Sequence, residues 1–193
     1  MTFDEAIAIR PVQGYRVIYA DPPWNFENWS EKGEQKNASQ HYECMDIEDI
    51  HNMKVEAIAS TNCILFLWVT DPLLQQGIET IKRWGFEYKT VGFTWHKTRP
   101  SKKEFLGQGY YTRGNPEMCL IGKRGSMGEP NDRGVRQYQA HDIREHSRKP
   151  DEIRNLIAKM YDGPRIELFA REKFDGWESW GNQTEKFNDQ PHK

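Results

Sequence analysis

The chain has 193 residues with a formal net charge of −2 and 12% aromatic residues, seven of them Trp, which fits one domain of about 10–183 with a sizeable core and a short polar C-terminal tail. Three scattered cysteines, Cys44, Cys63 and Cys119, argue against a disulfide scaffold or a Cys-x-x-Cys zinc site and for reduced thiols. The acidic N-terminus is unlike a signal peptide, and the longest apolar run, Cys63 to Val69, is too short to span a bilayer, so a soluble cytoplasmic protein with no membrane partner and no metal is expected.

Arg16 to Ala20 reads as a buried strand, and Cys63 to Val69 as a second one covered on both faces. Leu73, Leu74, Ile78, Ile81 and Trp84 recur at helical spacing from Pro72 to Trp84, and Gly85 ends that helix. Glu87 to His96 and Glu117 to Gly122 read as the third and fourth strands. Lys149-Pro150-Asp151-Glu152 opens a helix to Tyr161, with Ile153, Leu156, Ile157 and Met160 on one face. Ile166 to Ala170 is a fifth strand, and Trp177 to Trp180 a short sixth. This alternation predicts an α/β fold with a mostly parallel sheet and helices on both faces. The long stretches Glu27–His41, Lys97–Asn115 and Lys123–Ser147 read as functional loops bordering one crevice at the carboxyl ends of the strands. Trp68, Trp84 and Trp95 are expected in the core, and Trp177 and Trp180 are candidates to pack beside a ligand.

Charge is unevenly distributed. Residues 1–95 carry eight Lys/Arg against fourteen Asp/Glu, residues 96–149 carry twelve against six, and the remainder seven against nine. A basic middle third between acidic flanks points to a local phosphate patch, with Lys97, Arg99, Lys102, Lys103 and Arg113 as candidate nucleic-acid contacts and Tyr110-Tyr111 as flat faces among them. The plain alternative is a solvated loop.

The most specific string is Asp21-Pro22-Pro23-Trp24 at the end of the first strand. At background frequencies near about 5% for Pro, and similar or lower for Asp and Trp, it arises by chance in a chain this size less than about once in a thousand. The exocyclic amine of adenine is a poor nucleophile, because its lone pair is delocalised into the ring. Asp21 and the Pro22 carbonyl are candidate acceptors for its N–H groups. The two prolines fix φ and stiffen the turn, and Trp24 offers a face for an unstacked base. His41-Tyr42 is a candidate to re-enter the site from the following loop.

Three segments together resemble one family: Tyr19 to Trp24, Ser147 to Glu152, and Ile166 to Arg171 with Trp180-Gly181-Asn182-Gln183 beyond. The chain resembles the N(6)-adenine methyltransferases that include the catalytic subunit of the eukaryotic mRNA adenosine methyltransferase, and among them the short bacterial and phage members. The resemblance implies a Rossmann-like fold using S-adenosyl-L-methionine, with the catalytic motif ahead of the cofactor motif. It places Asp21 to Trp24 in catalysis and Asp21, Lys149, Glu167, Phe169, Arg171, Asn182 and Gln183 at the cofactor, Lys149 opposite the methionine carboxylate. Ala170 and Arg148 depart from the mRNA enzyme's Gly and His. The absence of that enzyme's long N-terminal and zinc-finger extensions favours DNA over RNA as substrate. RNA, a silent nucleic-acid-binding partner subunit and a small-molecule amine remain as alternatives, and both a homodimer and a heterodimer are allowed. Without the resemblance, Glu167 and Arg171 would pass as a structural ion pair, and Asn182-Gln183 as a polar turn.

Overall fold

The computed structural model describes residues 3–25, 44–101, 105–107, 109, 111–145 and 147–187. Seven strands form one sheet: β1 (Tyr15–Ala20), β2 (Ala59–Val69), β3 (Glu87–Thr98), β4 (Glu117–Arg124), β5 (Tyr138–Asp142), β6 (Arg165–Leu168) and β7 (Glu178–Trp180), in the order β5-β3-β4-β2-β1-β6-β7. The described helices are α1 (Phe3–Ile9), α2 (Ile47–His51), α3 (Leu74–Arg83) and α4 (Asp151–Met160). β1 is parallel to both neighbours, pairing Ala20 with Leu67 and with Leu168. Only β4 runs against its neighbours, because the β3–β4 hairpin folds it back between β3 and β2.

Side-chain alternation along the strands divides the core in two. Ile18, Ala20, Leu65, Leu67 and Val69 face α1, α2 and α3 through Ala6, Ile50 and Ile81. Val17, Tyr19, Ile64, Phe66 and Trp68 face α4 through Ile153 and Ile157. Both faces of β1 and β2 are therefore covered, which explains their unbroken apolar runs. α3 lies close to the sheet at Gly77, where a Cβ would come within 2.9 Å of Val69. This is the Rossmann-like arrangement expected, with helices on both faces.

All the expected strands and both expected helices form, and Trp68, Trp84 and Trp95 are buried. Three elements were not anticipated: α1, α2 and β5. β5 lies inside the stretch expected to be a loop from Lys123 to Ser147, and its alternating exposure marks it as an edge strand without an apolar run to reveal it. α2 is five residues long, too short for a helical period to show. No helix among the described residues is long and apolar enough to cross a membrane.

Candidate active site

Three adjacent parallel strands, β1, β6 and β7, end at one rim of the sheet, and a cavity of about 740 Å³ opens there. Asp21, Pro22 and Pro23 follow β1, Phe169, Ala170 and Arg171 follow β6, and Gly181, Asn182 and Gln183 follow β7; all nine line the cavity. Open α/β sheets bind ligands at this edge because helix starts and loop backbones converge there without a covering helix. Phe169 turns the chain with φ +62°, a conformation costing a bulky L-residue roughly 1–2 kcal/mol. Ala170 N–H donates to the Trp180 carbonyl at 2.9 Å. Gly181 permits this approach, since a Cβ there would lie 2.6 Å from the Ala170 oxygen. The strain at Phe169 is thus held by the β7 exit, and it aims the following residues into the cavity.

The motif forms a hydrogen-bonded turn, and Trp24 turns its ring away from the cavity. The Pro22 carbonyl accepts the Trp24 N–H at 2.8 Å, and the Pro23 carbonyl accepts the Met45 N–H at 3.0 Å. One lone pair of the Pro22 oxygen is therefore engaged within the turn and the second remains for a ligand. Trp24 is buried in the core, and its indole N–H donates to the Trp68 carbonyl at 3.0 Å. It does not line the cavity, so its ring fastens the motif to β2 where a stacking face was expected. His41 and Tyr42 lie outside the described residues, but the chain returns to the motif just after them, where Met45 bridges Trp24.

Lys149 meets both oxygens of Asp21, at 2.9 and 2.7 Å, and also Glu117 at 3.2 Å. Burial raises the Asp21 pKa; Lys149 opposes this by charge and by hydrogen bonding, Glu117 adds to the rise, and Arg171 lowers it. Glu117 is partly buried too, yet Lys149 and Lys97 bring it down to about 2. Lys149 does not line the cavity; its amine is directed at Asp21. Glu167 does not line it either. Its carboxylate lies on the α4 side of β6, 3.1 Å from Arg154, so the alternative Glu167–Arg171 pair is replaced by one with α4. Arg154 also binds Asp151 and Glu172 at 2.6 Å each, and Arg148 binds Glu172 at 2.8 Å. This explains the basic Arg148 ahead of α4: it joins a buried network pinning the α4 start to the β6 exit. Trp180 lines the cavity, edge-on to Phe169 and Phe3, whereas Trp177 packs on Tyr19 across the sheet.

The basic segment is only partly a surface patch. Lys97 is inside, paired with Glu117 at 2.5 Å and lying over the rings of Trp95 and Phe105, so it is not a phosphate contact. Arg99 and Arg113 are exposed, and Lys102, Lys103 and Tyr110 lie outside the described residues. None of the described residues from Lys97 to Asn115 lines the cavity; Glu117, just after the loop, reaches Asp21 only through Lys149. Sequence reasoning missed Phe3, Cys44, Met45, Asp46, Asp49, Met53 and Ser147, which complete the cavity wall, and it missed Glu117. A signal for Glu117 existed: it is the only acid between Glu104 and Glu129 and heads an apolar strand. Ser147 opens the second resembling segment; the others lie away from the motifs in sequence and carry none.

The walls fit an adenosyl–amino-acid cofactor. Phe3, Phe169 and Trp180 line it with apolar rings, Asn182 and Gln183 with carboxamides, and Asp21 and Arg171 with opposite charges, the chemistry that a purine, ribose hydroxyls and a zwitterionic end would require. Residues 15–183 match the MT-A70 family. The chain belongs to that family of methyltransferases. It is 35% identical over 195 residues to the Type II methyltransferase M.MunI of Mycoplasma sp, covering 92% of this chain and 81% of that one. It is 27% identical to the N(6)-adenosine-methyltransferase catalytic subunit METTL3 of Homo sapiens, over 89% of this chain and 28% of the human protein. The non-catalytic subunit MTB of Arabidopsis thaliana is 35% identical over 123 residues, covering 61% of this chain and 15% of that subunit. The chain thus spans most of the Mycoplasma relative and less than a third of the two eukaryotic ones. The resemblance in the three motifs is borne out at family level.

Proposed function

We propose that this MT-A70 protein transfers a methyl group from S-adenosylmethionine to the exocyclic amine of adenine in DNA. The observation that carries this reading is the intact Asp21-Pro22-Pro23 turn lining the same cavity as Arg171, Asn182 and Gln183. Family membership alone does not separate catalytic from non-catalytic chains, as the Arabidopsis relative illustrates. DNA is favoured over RNA because the match to the Type II methyltransferase extends over most of both chains, whereas only 28% of the human adenosine methyltransferase is matched.

When bound, the cofactor supplies a methyl group activated on a cationic sulfur. The chain's own residues supply orientation. Asp21 and the free lone pair of the Pro22 oxygen accept the two N–H bonds of the amine, which turns its lone pair toward the cavity and stabilises positive charge as it develops on nitrogen. Lys149 holds the Asp21 carboxylate without consuming all its acceptor sites, because an ionised carboxylate has about four. The proton of the methylated amine leaves to water, so no side chain need act as an obligatory base.

Purified protein incubated with labelled cofactor and matched DNA and RNA, followed by digestion to nucleosides, tests the reading; label in N(6)-methyladenine from RNA alone would overturn the DNA assignment. Cofactor binding is tested separately by calorimetry. Asn182→Ala should weaken it about 2- to 12-fold, the range for one ordinary hydrogen bond. Glu167→Gln should leave it within twofold, because Glu167 lies on the opposite face of the sheet. For the nucleic acid, Arg99→Ala with Arg113→Ala should flatten the log–log salt dependence of DNA binding by about 0.7–0.9 for each phosphate left without its cation. An unchanged slope would make these two side chains ordinary solvated loop charges.

A further inference from the structure

Between the β3–β4 loop and Asp21 the partly buried charges alternate in sign. Lys97 Nζ meets Glu117 Oε1 at 2.5 Å, Glu117 Oε2 meets Lys149 Nζ at 3.2 Å, and Lys149 Nζ meets Asp21 Oδ2 at 2.7 Å. In that order the four side chains are 18, 15, 8 and 25% exposed, so solvent ions screen them weakly. They come from the end of β3, the start of β4, the residue two before α4 and the end of β1. The far end of the chain is anchored in the loop. Asn115 accepts the Lys97 N–H at 2.9 Å and donates to the carbonyls of Lys97 and Phe105, at 3.2 and 2.5 Å. Phe105 in turn lies against both the Lys97 amine and the Arg99 guanidinium.

Buried ion pairs often stabilise a fold no better than apolar packing would, so stability is a poor account of three in series. We infer that Lys97 and Glu117 are positioning residues that act through Lys149 to keep the Asp21 carboxylate aimed and ionised, and so tie the β3–β4 loop to methyl transfer. This rests on Asp21 being the acceptor for the reacting amine.

The single charge of Lys149 is shared by two carboxylates. Without Lys97, Glu117 has only Lys149 to draw on, and Asp21 holds its charge less firmly. Without the charge of Glu117, Lys149 no longer divides its charge between two carboxylates, and a negative neighbour of Asp21 is gone. The two changes therefore push Asp21 in opposite directions. The other groups facing this chain stay in place in both variants: Arg171, Glu167 and Cys119 around Asp21, Asp71 beside Glu117 and Lys97, and Asp46 and Asp49 across the cavity.

The test is the pH titration of the Asp21 side-chain carboxyl by ¹³C NMR, assigned with Asp21→Asn, alongside the acid limb of kcat/KM on DNA. Lys97→Met should raise both midpoints by about one pH unit, and Glu117→Gln should lower both by a similar amount. Lys97→Arg should restore the wild-type midpoints. Lys89→Met, which removes an exposed charge from the same strand, should leave them unmoved. Midpoints that move in the same direction, or not at all, overturn the inference. If Lys97→Met does not fold, Glu117→Gln decides alone, and an unmoved or raised midpoint overturns it. Full turnover in Asp21→Asn would instead overturn the role of Asp21, while the carboxyl resonance would still report whether the relay exists.

Discussion

Asp21→Ala should lower methyl transfer by about 10²- to 10³-fold while the protein stays folded. That is the loss seen when one pre-aimed hydrogen-bonding group is removed from a site where charge develops, about 2.7–4 kcal/mol of barrier. Asp21 meets the geometric requirement: it lies at the carboxyl end of a central strand, lines the cavity, and is fixed by Lys149 at both oxygens. The fold should survive because Lys149 keeps Glu117 as a counter-charge at 3.2 Å. Asp21→Asn separates charge from shape. It retains one neutral acceptor, and neutral hydrogen bonds are roughly half as strong as charge-assisted ones, so it should recover only a small part of the rate. Single-turnover rates with labelled cofactor, beside a thermal melt of each variant, give the comparison. Turnover within threefold of wild type in Asp21→Ala would remove Asp21 from the mechanism.

Arg154→Met should be the most destabilising of these substitutions, by about 3–5 kcal/mol in urea unfolding at pH 8. Arg154 is 3% exposed and neutralises Asp151, Glu167 and Glu172 together. Removing one member of a buried ionic cluster leaves the others uncompensated, and that penalty is of this size. The loss should depend on pH. Burial pushes Glu167 up to about 7, Arg154 being the main influence that lowers it and Glu172, Asp21 and Asp151 adding to the rise. A carboxyl with a raised folded pKa contributes stability fully below its ordinary value of 4.5 and loses it as pH rises through about 7. Removing Arg154 raises Glu167 further, so the variant should regain stability as pH falls from 8 toward 5. Asp151 has the opposite sign. Held at about 2, chiefly by Arg144 and Arg154 against the cost of burial, it contributes above its ordinary 3.8 and is lost only as pH falls toward 2. The recovery at pH 5 therefore lies clear of that second window. A deficit equal at pH 5 and pH 8 would mean that the methionine packs poorly and that charge is not the cause.

Most of what this chain is could be read locally. The strands ending at Ala20 and Val69 are continuous apolar runs because helices cover both their faces. The helix through Ile81 announces itself by its period, and Asp21-Pro22-Pro23 stands at a strand end because the turn stiffens where the sheet stops. Those features depend on neighbours in sequence, so sequence contains them. Tertiary structure decided which polar groups meet. Arg154 reads as the wet face of a helix, yet the β6 exit delivers Glu167 and Glu172 to it. Lys97 reads as part of a basic surface loop, yet the antiparallel insertion of β4 puts Glu117 beside it and takes it inside. Trp24 reads as a platform for a base, but the register of β1 on β2 places the Trp68 carbonyl within reach of its indole N–H. Each of these depends on a partner between 13 and 44 residues away, which local pattern cannot specify, because the charge or ring is the same whether it faces water or a distant counterpart. The motifs pointed to the family and placed an acid at a strand end; strand order and register decided which side chains that acid meets.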